Sequence, residues 1–204
     1  MGDNSPLRPT RVPALAAALI FSVFAAAIFL SVDSPDARRA EAQAQPPAAL
    51  KSPAEIDAYA SKLRAHLEQQ PGDARSWVIF ARMQAELDRF PEAAQAYEKA
   101  LTLPSRVARD PAVWCEYADA LGMAQGGKLS GKPRELVDRA LALDADHPKA
   151  LEMAGSAAYE QGNYEETLRF WRPLHARLET GSPEHRELTV AIARTERLAA
   201  TAAK

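Results

Sequence analysis

Two hydrophobic patterns divide the chain. Residues 12–32 (VPALAAALIFSVFAAAIFLSV) form a run of 21 residues without a charge. From residue 52 onward, apolar residues instead recur every three or four positions among polar ones, which is the spacing of helices that bury one face. The first pattern predicts a membrane-spanning helix, and the second predicts a helical domain over residues 52–200.

The uncharged run is long enough to cross a bilayer, because 21 residues at a helical rise of 1.5 Å span about 31 Å. Arg8 and Arg11 precede the run, whereas Asp33 and Asp36 follow it. The positive-inside rule therefore predicts that residues 1–11 stay in the cytoplasm. The chain after the membrane helix is expected on the opposite side.

A cleaved signal peptide is the alternative for this segment. Ala42-Gln43-Ala44 has the small-x-small pattern of a cleavage site, but it lies ten residues beyond the end of the apolar run. Residues 33–51 are rich in Ala, Gln and Pro and hold few large apolar residues, which predicts a flexible linker. Both alternatives export the domain that follows.

Beyond the linker the sequence repeats itself with a period of 37 residues. Triplets that begin with a large residue and end with a small one recur at this offset as Trp77, Phe80, Ala81, then Trp114, Tyr117, Ala118, then Leu151, Ala154, Gly155. Each triplet opens a predicted helix, and a second helix follows it over residues 91–103, 133–143 and 164–174. Helix pairs at such a period predict a solenoid, in which stacking buries faces that no single unit can bury.

These units resemble the tetratricopeptide repeat (TPR). Its large, small and aromatic positions are filled in the first unit by Trp77, Ala81, Phe90, Ala93, Tyr97 and Ala100, and in the third by Gly155, Gly162, Tyr164 and Trp171. The capping box Ser52-Pro53-Ala54-Glu55 predicts a helix start. The fold class is therefore all-α: one N-terminal transmembrane helix, then a TPR solenoid with a half repeat (52–73), repeats at 74–110, 111–147 and 148–181, and a capping helix (182–200).

Composition narrows the possible chemistry. The chain has 43 alanines, about a fifth of its residues, which favours helices with close contacts. One cysteine excludes an internal disulfide framework, a Cys-x-x-Cys pair and a c-type haem attachment motif. The formal net charge of −2 gives no sign of the excess positive charge that nucleic-acid binding requires. No cofactor and no enzymatic activity are expected.

Two stretches approach known ligand motifs without matching them. Gly122, Gly127 and Lys128 have P-loop spacing, but Leu129 stands where Ser or Thr is required and a helix precedes the segment. We interpret this stretch as a glycine-rich turn. Asp144, Asp146 and His147 offer carboxylate and imidazole ligands for a metal, but their position between two repeats favours a loop with an Asp helix cap.

The exposed side of the first helix in each repeat is the best candidate site. In TPR arrays these helices line the concave surface, and the matching positions here are Arg75, Val78, Arg82, Cys115, Asp119, Met123, Lys149, Glu152 and Tyr159. Such a mixture of charged and apolar groups could hold an amphipathic peptide helix, with an Arg or Lys pairing to its terminal carboxylate. Cys115 is either a free thiol near a thiol-bearing client or simply a small helix residue.

Two segments narrow the resemblance further. Residues 124–131 (AQGGKLSG) and 143–151 (LDADHPKAL), together with Gly162, Tyr164 and Trp171, are similar to the cytochrome c-type biogenesis TPR proteins of the CycH/NrfG type. The resemblance covers about residues 52–182. Longer members of this family carry two transmembrane helices, so the single one here favours the short, NrfG-like form.

The resemblance implies a function and a location. The TPR module would lie in the periplasm, anchored to the bacterial inner membrane by its N-terminal helix. It would bind the C-terminal peptide of apocytochrome c in its groove and present it to the membrane subunits of the haem-ligation machinery. The alternative is a general periplasmic TPR scaffold for envelope or pilus assembly.

Overall fold

The computed structural model describes residues 52–202, which form eight α-helices and one short 3-10 helix without any β-strand. In chain order the helices are α1 (Pro53–Gln69), α2 (Ala74–Glu86), α3 (Phe90–Thr102), α4 (Pro111–Ala124), α5 (Lys132–Leu143), α6 (Pro148–Glu160), α7 (Tyr164–His175) and α8 (Pro183–Ala202). The 3-10 helix, Arg106–Arg109, lies between α3 and α4. The all-helical class predicted from the sequence is confirmed.

The predicted cytoplasmic segment, transmembrane helix and linker, over residues 1–51, lie outside the described residues. Between residues 52 and 202, none of the helices combines the length and the apolar character that crossing a bilayer requires.

Side-chain caps mark the starts of α1, α2, α4 and α6. The predicted capping box is present: the Glu55 amide donates to Ser52 Oγ (3.3 Å), and the Ser52 amide donates to Glu55 Oε2 (3.0 Å). Asp73 caps α2 through the Ser76 amide. Before α6 the cap is His147, whose Nδ1 accepts from the Ala150 amide at 3.3 Å. The expectation that an Asp caps this helix was therefore wrong.

The helices stack in chain order as three antiparallel pairs, α2 with α3, α4 with α5, and α6 with α7, flanked by α1 and α8. The first helices of neighbouring pairs also touch, because α4 contacts α6. The contacts run through fully buried alanines, namely Ala81, Ala93, Ala100, Ala118, Ala140 and Ala154. Small residues let the backbones approach, so one continuous core extends from α1 to α6.

A tryptophan anchors the start of each of the first two pairs. Trp77 Nε1 donates to the Pro71 carbonyl and Trp114 Nε1 donates to the Ala108 carbonyl, both at 2.9 Å and both six residues back in the chain. The third pair has Leu151 at this position, and the leucine side chain has no hydrogen-bond donor. The indole contact therefore repeats only where the sequence repeats the tryptophan.

The glycine-rich stretch after α4 is an ordered turn. Gln125 Nε2 donates to the carbonyls of Lys128 (2.7 Å) and Ser130 (3.0 Å). The Leu129 amide donates to Glu160 Oε2 at the end of α6 (3.0 Å), and the Leu129 side chain is buried. The turn over residues 125–131 is thus hydrogen-bonded to the next pair. Leu129 contributes to packing, which explains an apolar side chain at this position.

Gly155 is a point of close approach between the two helices of the third pair. A Cβ at this position would lie 2.1 Å from Trp171 Nε1 and 2.2 Å from Trp171 Cδ1, so the rigid indole ring would have to move. Trp171 is itself buried, and its Nε1 donates to the Glu152 carbonyl at 3.3 Å. The indole of α7 therefore fills the space that the missing side chain leaves on α6.

We expect Gly155→Ala to destabilise the domain by about 1–3 kcal/mol, since overpacking displaces the Trp171 ring. The measurement is the free energy of unfolding from urea titration. Gly72→Ala is the matched control, because nothing lies within 4 Å of a Cβ there, and its effect should stay within about 0.5 kcal/mol. Equal effects of the two substitutions would contradict the packing role assigned to Gly155.

Candidate peptide-binding groove

The side chains predicted to line the groove lie on α2, α4 and α6, but they differ in accessibility. Val78 and Cys115 are buried, with 5% and 2% of their surface exposed. Arg75, Arg82 and Met123 are exposed, and Asp119, Lys149, Glu152 and Tyr159 are half-buried. Val78 and Cys115 therefore contribute to the core more than to a surface. That the other seven line a peptide-binding surface stays a prediction.

A three-residue cluster joins the first two repeats. Arg82 on α2 donates to both carboxylate oxygens of Glu116 on α4, from Nε at 2.9 Å and from a terminal guanidinium nitrogen at 2.8 Å. The Tyr97 hydroxyl on α3 donates to Glu116 Oε2 at 3.0 Å. We call Arg82, Tyr97 and Glu116 the Glu116 cluster. Its geometry is the bidentate fork that guanidinium and carboxylate favour.

Burial and charge act together on the Glu116 cluster. Burial strongly raises the pKa of Tyr97, and the neighbouring Glu116 carboxylate raises it further. Burial opposes the charge on Arg82, but the hydrogen bonds and attraction of Glu116 outweigh it and raise the Arg82 pKa. A client carboxylate reaching Arg82 would therefore compete with Glu116, a residue that the repeat pattern did not single out.

Cys115 faces the third repeat rather than an open groove. Its Sγ lies 3.8 Å from His147 Nδ1, the atom that caps α6. Burial raises the pKa of the Cys115 thiol to about 12, although Lys149 opposes the shift. The thiol is therefore protonated at neutral pH, and thiols are weak nucleophiles. This favours the interpretation of Cys115 as a small packing residue.

Asp119 and Lys149 occupy the middle of the candidate groove. Lys149 Nζ pairs with Glu152 Oε2 at 3.2 Å on α6. Between residues 52 and 202, Asp119 accepts no hydrogen bond and has no ion-pair partner within 4.0 Å. Burial raises the Asp119 pKa, Lys149 opposes the rise, and Glu152 and Glu116 add to it. This carboxylate is thus partly desolvated without a direct partner.

Apolar groups lie at the C-terminal ends of the same helices. Met123, 45% exposed, is one of the few large apolar residues left open to solvent in the described part of the chain. Tyr159 stacks on Trp171 with ring centroids 5.8 Å apart and meets Tyr164 edge-on at 5.7 Å. These residues give the surface an apolar side next to its charged centre.

The possible metal ligands of the inter-repeat loop have structural partners. Asp144 Oδ1 accepts from the Asp146 amide (3.0 Å), and the Asp146 carboxylate pairs with Arg177 at 2.6 Å. His147 caps α6. Within residues 52–202, no three His, Cys, Asp or Glu side chains converge as a metal site would require.

Stacked helix pairs with small residues at their contacts and a surface formed by the first helices define a TPR solenoid. The family model described as the cytochrome c-type biogenesis protein H TPR domain matches residues 25–185. This is well over half of the chain. The chain therefore belongs to that family, as its sequence segments predicted.

The names of individual relatives agree with this family assignment. The cytochrome c-type biogenesis protein CycH of Bradyrhizobium diazoefficiens is 32% identical over 118 residues, 58% of this chain and 31% of that protein. CycH of Pseudomonas aeruginosa is 28% identical over 185 residues, 89% of this chain and 43% of that protein. The formate-dependent nitrite reductase complex subunit NrfG of Escherichia coli O157:H7 is 25% identical over 121 residues, 59% of this chain and 58% of NrfG. The chain thus spans less than half of either CycH protein.

Glu116→Ala should lower the free energy of unfolding by about 1–3 kcal/mol, since it leaves the buried Tyr97 hydroxyl unpaired. Tyr97→Phe should have a smaller effect because Glu116 keeps Arg82. Glu135→Ala is the control: it removes an exposed carboxylate that pairs with Lys132 at 3.1 Å, and such surface pairs contribute about 0–1 kcal/mol. If Glu116→Ala and Glu135→Ala proved equivalent, the cluster would have no special role.

The Cys115 thiol should react with an aromatic disulfide reagent at least about 100-fold more slowly in the native chain than in guanidinium chloride, because burial suppresses the thiolate. Absorbance at mildly alkaline pH measures the rate, and the chain has one cysteine, so the signal has one source. Equal rates in the two conditions would show that the thiol is accessible.

Proposed function

We propose that this protein is a membrane-anchored periplasmic assembly factor for c-type cytochrome maturation. Its TPR domain binds the C-terminal region of apocytochrome c in the groove of α2, α4 and α6, and presents it to the haem-ligation complex of the bacterial inner membrane. The observation that carries the proposal is the match of residues 25–185 to the TPR domain of cytochrome c-type biogenesis protein H.

The composition of the groove supports a peptide ligand. Arg75 and Lys149 supply positive charge, whereas Met123 and Tyr159 supply apolar contacts. An amphipathic helix presents both kinds of group at intervals of three and four residues, so one side of it could contact the apolar positions while its terminal carboxylate approaches a cation. The groove therefore suits a helical chain terminus.

The uncharged residues 12–32, preceded by Arg8 and Arg11, support an anchor with its N-terminus in the cytoplasm. With that topology the proposed location of the TPR domain is the periplasm, on the same side of the membrane as the apocytochrome and the site of haem ligation. The proposal assigns no catalytic step to this chain. One cysteine with a suppressed thiolate cannot perform dithiol exchange, so that chemistry falls to the partner subunits.

Calorimetric titration of the full chain with peptides from the C-termini of the same organism's c-type cytochromes tests the proposal. At least one such peptide should bind with a dissociation constant in the micromolar range or below, whereas a scrambled peptide should not. The amidated form should bind about tenfold more weakly if the terminal carboxylate meets a cation.

A pair of matched variants locates the binding surface. Met123→Asp places a charge among the exposed apolar contacts of α4 and should weaken binding at least about tenfold. Val190→Asp makes the same kind of change at the 67%-exposed Val190 of α8, outside the groove, and should leave the affinity unchanged. Failure of every C-terminal peptide to bind would overturn the proposal, and equal effects of the two variants would place the site elsewhere.

A further inference from the structure

The ion pair that joins the first two repeats has no equivalent at Asp119 in the next interface. In the first interface Arg82 on α2 reaches Glu116 on α4. A shift by the 37-residue period puts Asp119 at the position of Arg82 and Met153 at the position of Glu116. Met153 is buried and offers no hydrogen-bond donor to a carboxylate. The contact that satisfies Arg82 therefore has no counterpart for Asp119.

The surrounding charges compensate Asp119 only in part, since Lys149 lowers its pKa whereas Glu152 and Glu116 raise it. Glu116, on the same helix, is bound by Arg82 and Tyr97. Across the interface on α6, Lys149 is the nearby cation, and its ammonium is paired with Glu152. Among the residues that the structure describes, Arg82 and Lys149 each pair directly with a carboxylate other than Asp119.

Asp119 is half-buried, and its carboxylate has no hydrogen-bonding or ion-pair partner among residues 52–202. Such a carboxylate is hydrated in the free protein, and a ligand that covers it must replace this hydration with a donor of its own. Desolvation raises the pKa of Asp119, so holding it ionised opposes stability. A cation that arrives with a ligand would remove this penalty, because it would supply the missing partner in the desolvated site.

We propose that Asp119 recognises a lysine or arginine side chain of the peptide that occupies the groove. The inference rests on the proposed function and names the ligand chemistry at its site. Met123 lies one helical turn beyond Asp119 on the same face of α4. The bound helix therefore carries its cation three or four residues from a large apolar side chain that contacts Met123.

A double-mutant cycle tests this pairing. The full chain and its Asp119→Asn variant are titrated with the apocytochrome C-terminal peptides and with versions in which each Lys or Arg is changed singly to Gln. Asp119→Asn should weaken binding about tenfold, one peptide substitution should do the same, and the two together should cause little further loss. Asp138→Asn on α5 removes an equal charge from an exposed ion pair and should leave the affinity unchanged.

The outcomes separate this inference from the proposed function. Peptides that bind wild type and Asp119→Asn equally, or whose cation substitutions act independently of Asp119, overturn the pairing and leave peptide binding intact. If no peptide binds the wild-type chain, the proposed function fails and the pairing fails with it.

Stability supplies a second readout on the same variant. The pKa of Asp119 is raised in the folded chain, so its ionised form lowers the free energy of unfolding. This loss of stability is absent below the ordinary pKa of 3.8 and appears as the pH rises through the pKa of the folded chain. Asp119→Asn should therefore raise the Tm at neutral pH, and the gain should vanish at acidic pH. A lower Tm at neutral pH would reveal an internal partner for Asp119 and overturn the inference.

Discussion

The fold depends on the close approach of helices at small residues. A single amphipathic helix, or a single pair, leaves an apolar stripe in water, and only stacking covers it. Ala81, Ala118 and Gly155 stand at equivalent positions of the three repeats, and all are buried. At Gly155 even one methyl group would collide with the ring of Trp171. The polar contacts between repeats can form only because the helices lie this close together.

The sequence predicted the elements whose causes are local. Helix periodicity and the capping box at Ser52 reside in a few neighbouring residues, so the second helix of each pair appears within one residue of its predicted bounds. His147 shows the limit of this reasoning. A nearby Asp is the commoner cap, but here the imidazole accepts from α6 while the Asp146 carboxylate pairs with Arg177.

The site was less predictable, because its properties depend on residues far apart in the chain. Arg82 and Glu116 are 34 positions apart, and nothing local indicates that they pair. The burial of Val78 and Cys115 likewise follows from their packing in the core that several helices share. A repeat pattern identifies the face of a helix that is turned toward the groove, but packing decides how much of each side chain remains accessible. The one sequence signal for Glu116 was the occurrence of an acidic residue about one repeat length after Arg82.

The turn over residues 125–131 affects more than the path of the chain. In a linear array, stability is the sum of terms for each unit and for each interface between neighbours. Through the Leu129 amide and Glu160, this turn adds a contact to the interface between the second and third pairs. The contact therefore adds to the stability with which the third pair stacks on the second. Asp119 on α4 and Lys149 on α6 lie on opposite sides of this interface, so a change in the turn would alter the distance between them without touching either side chain.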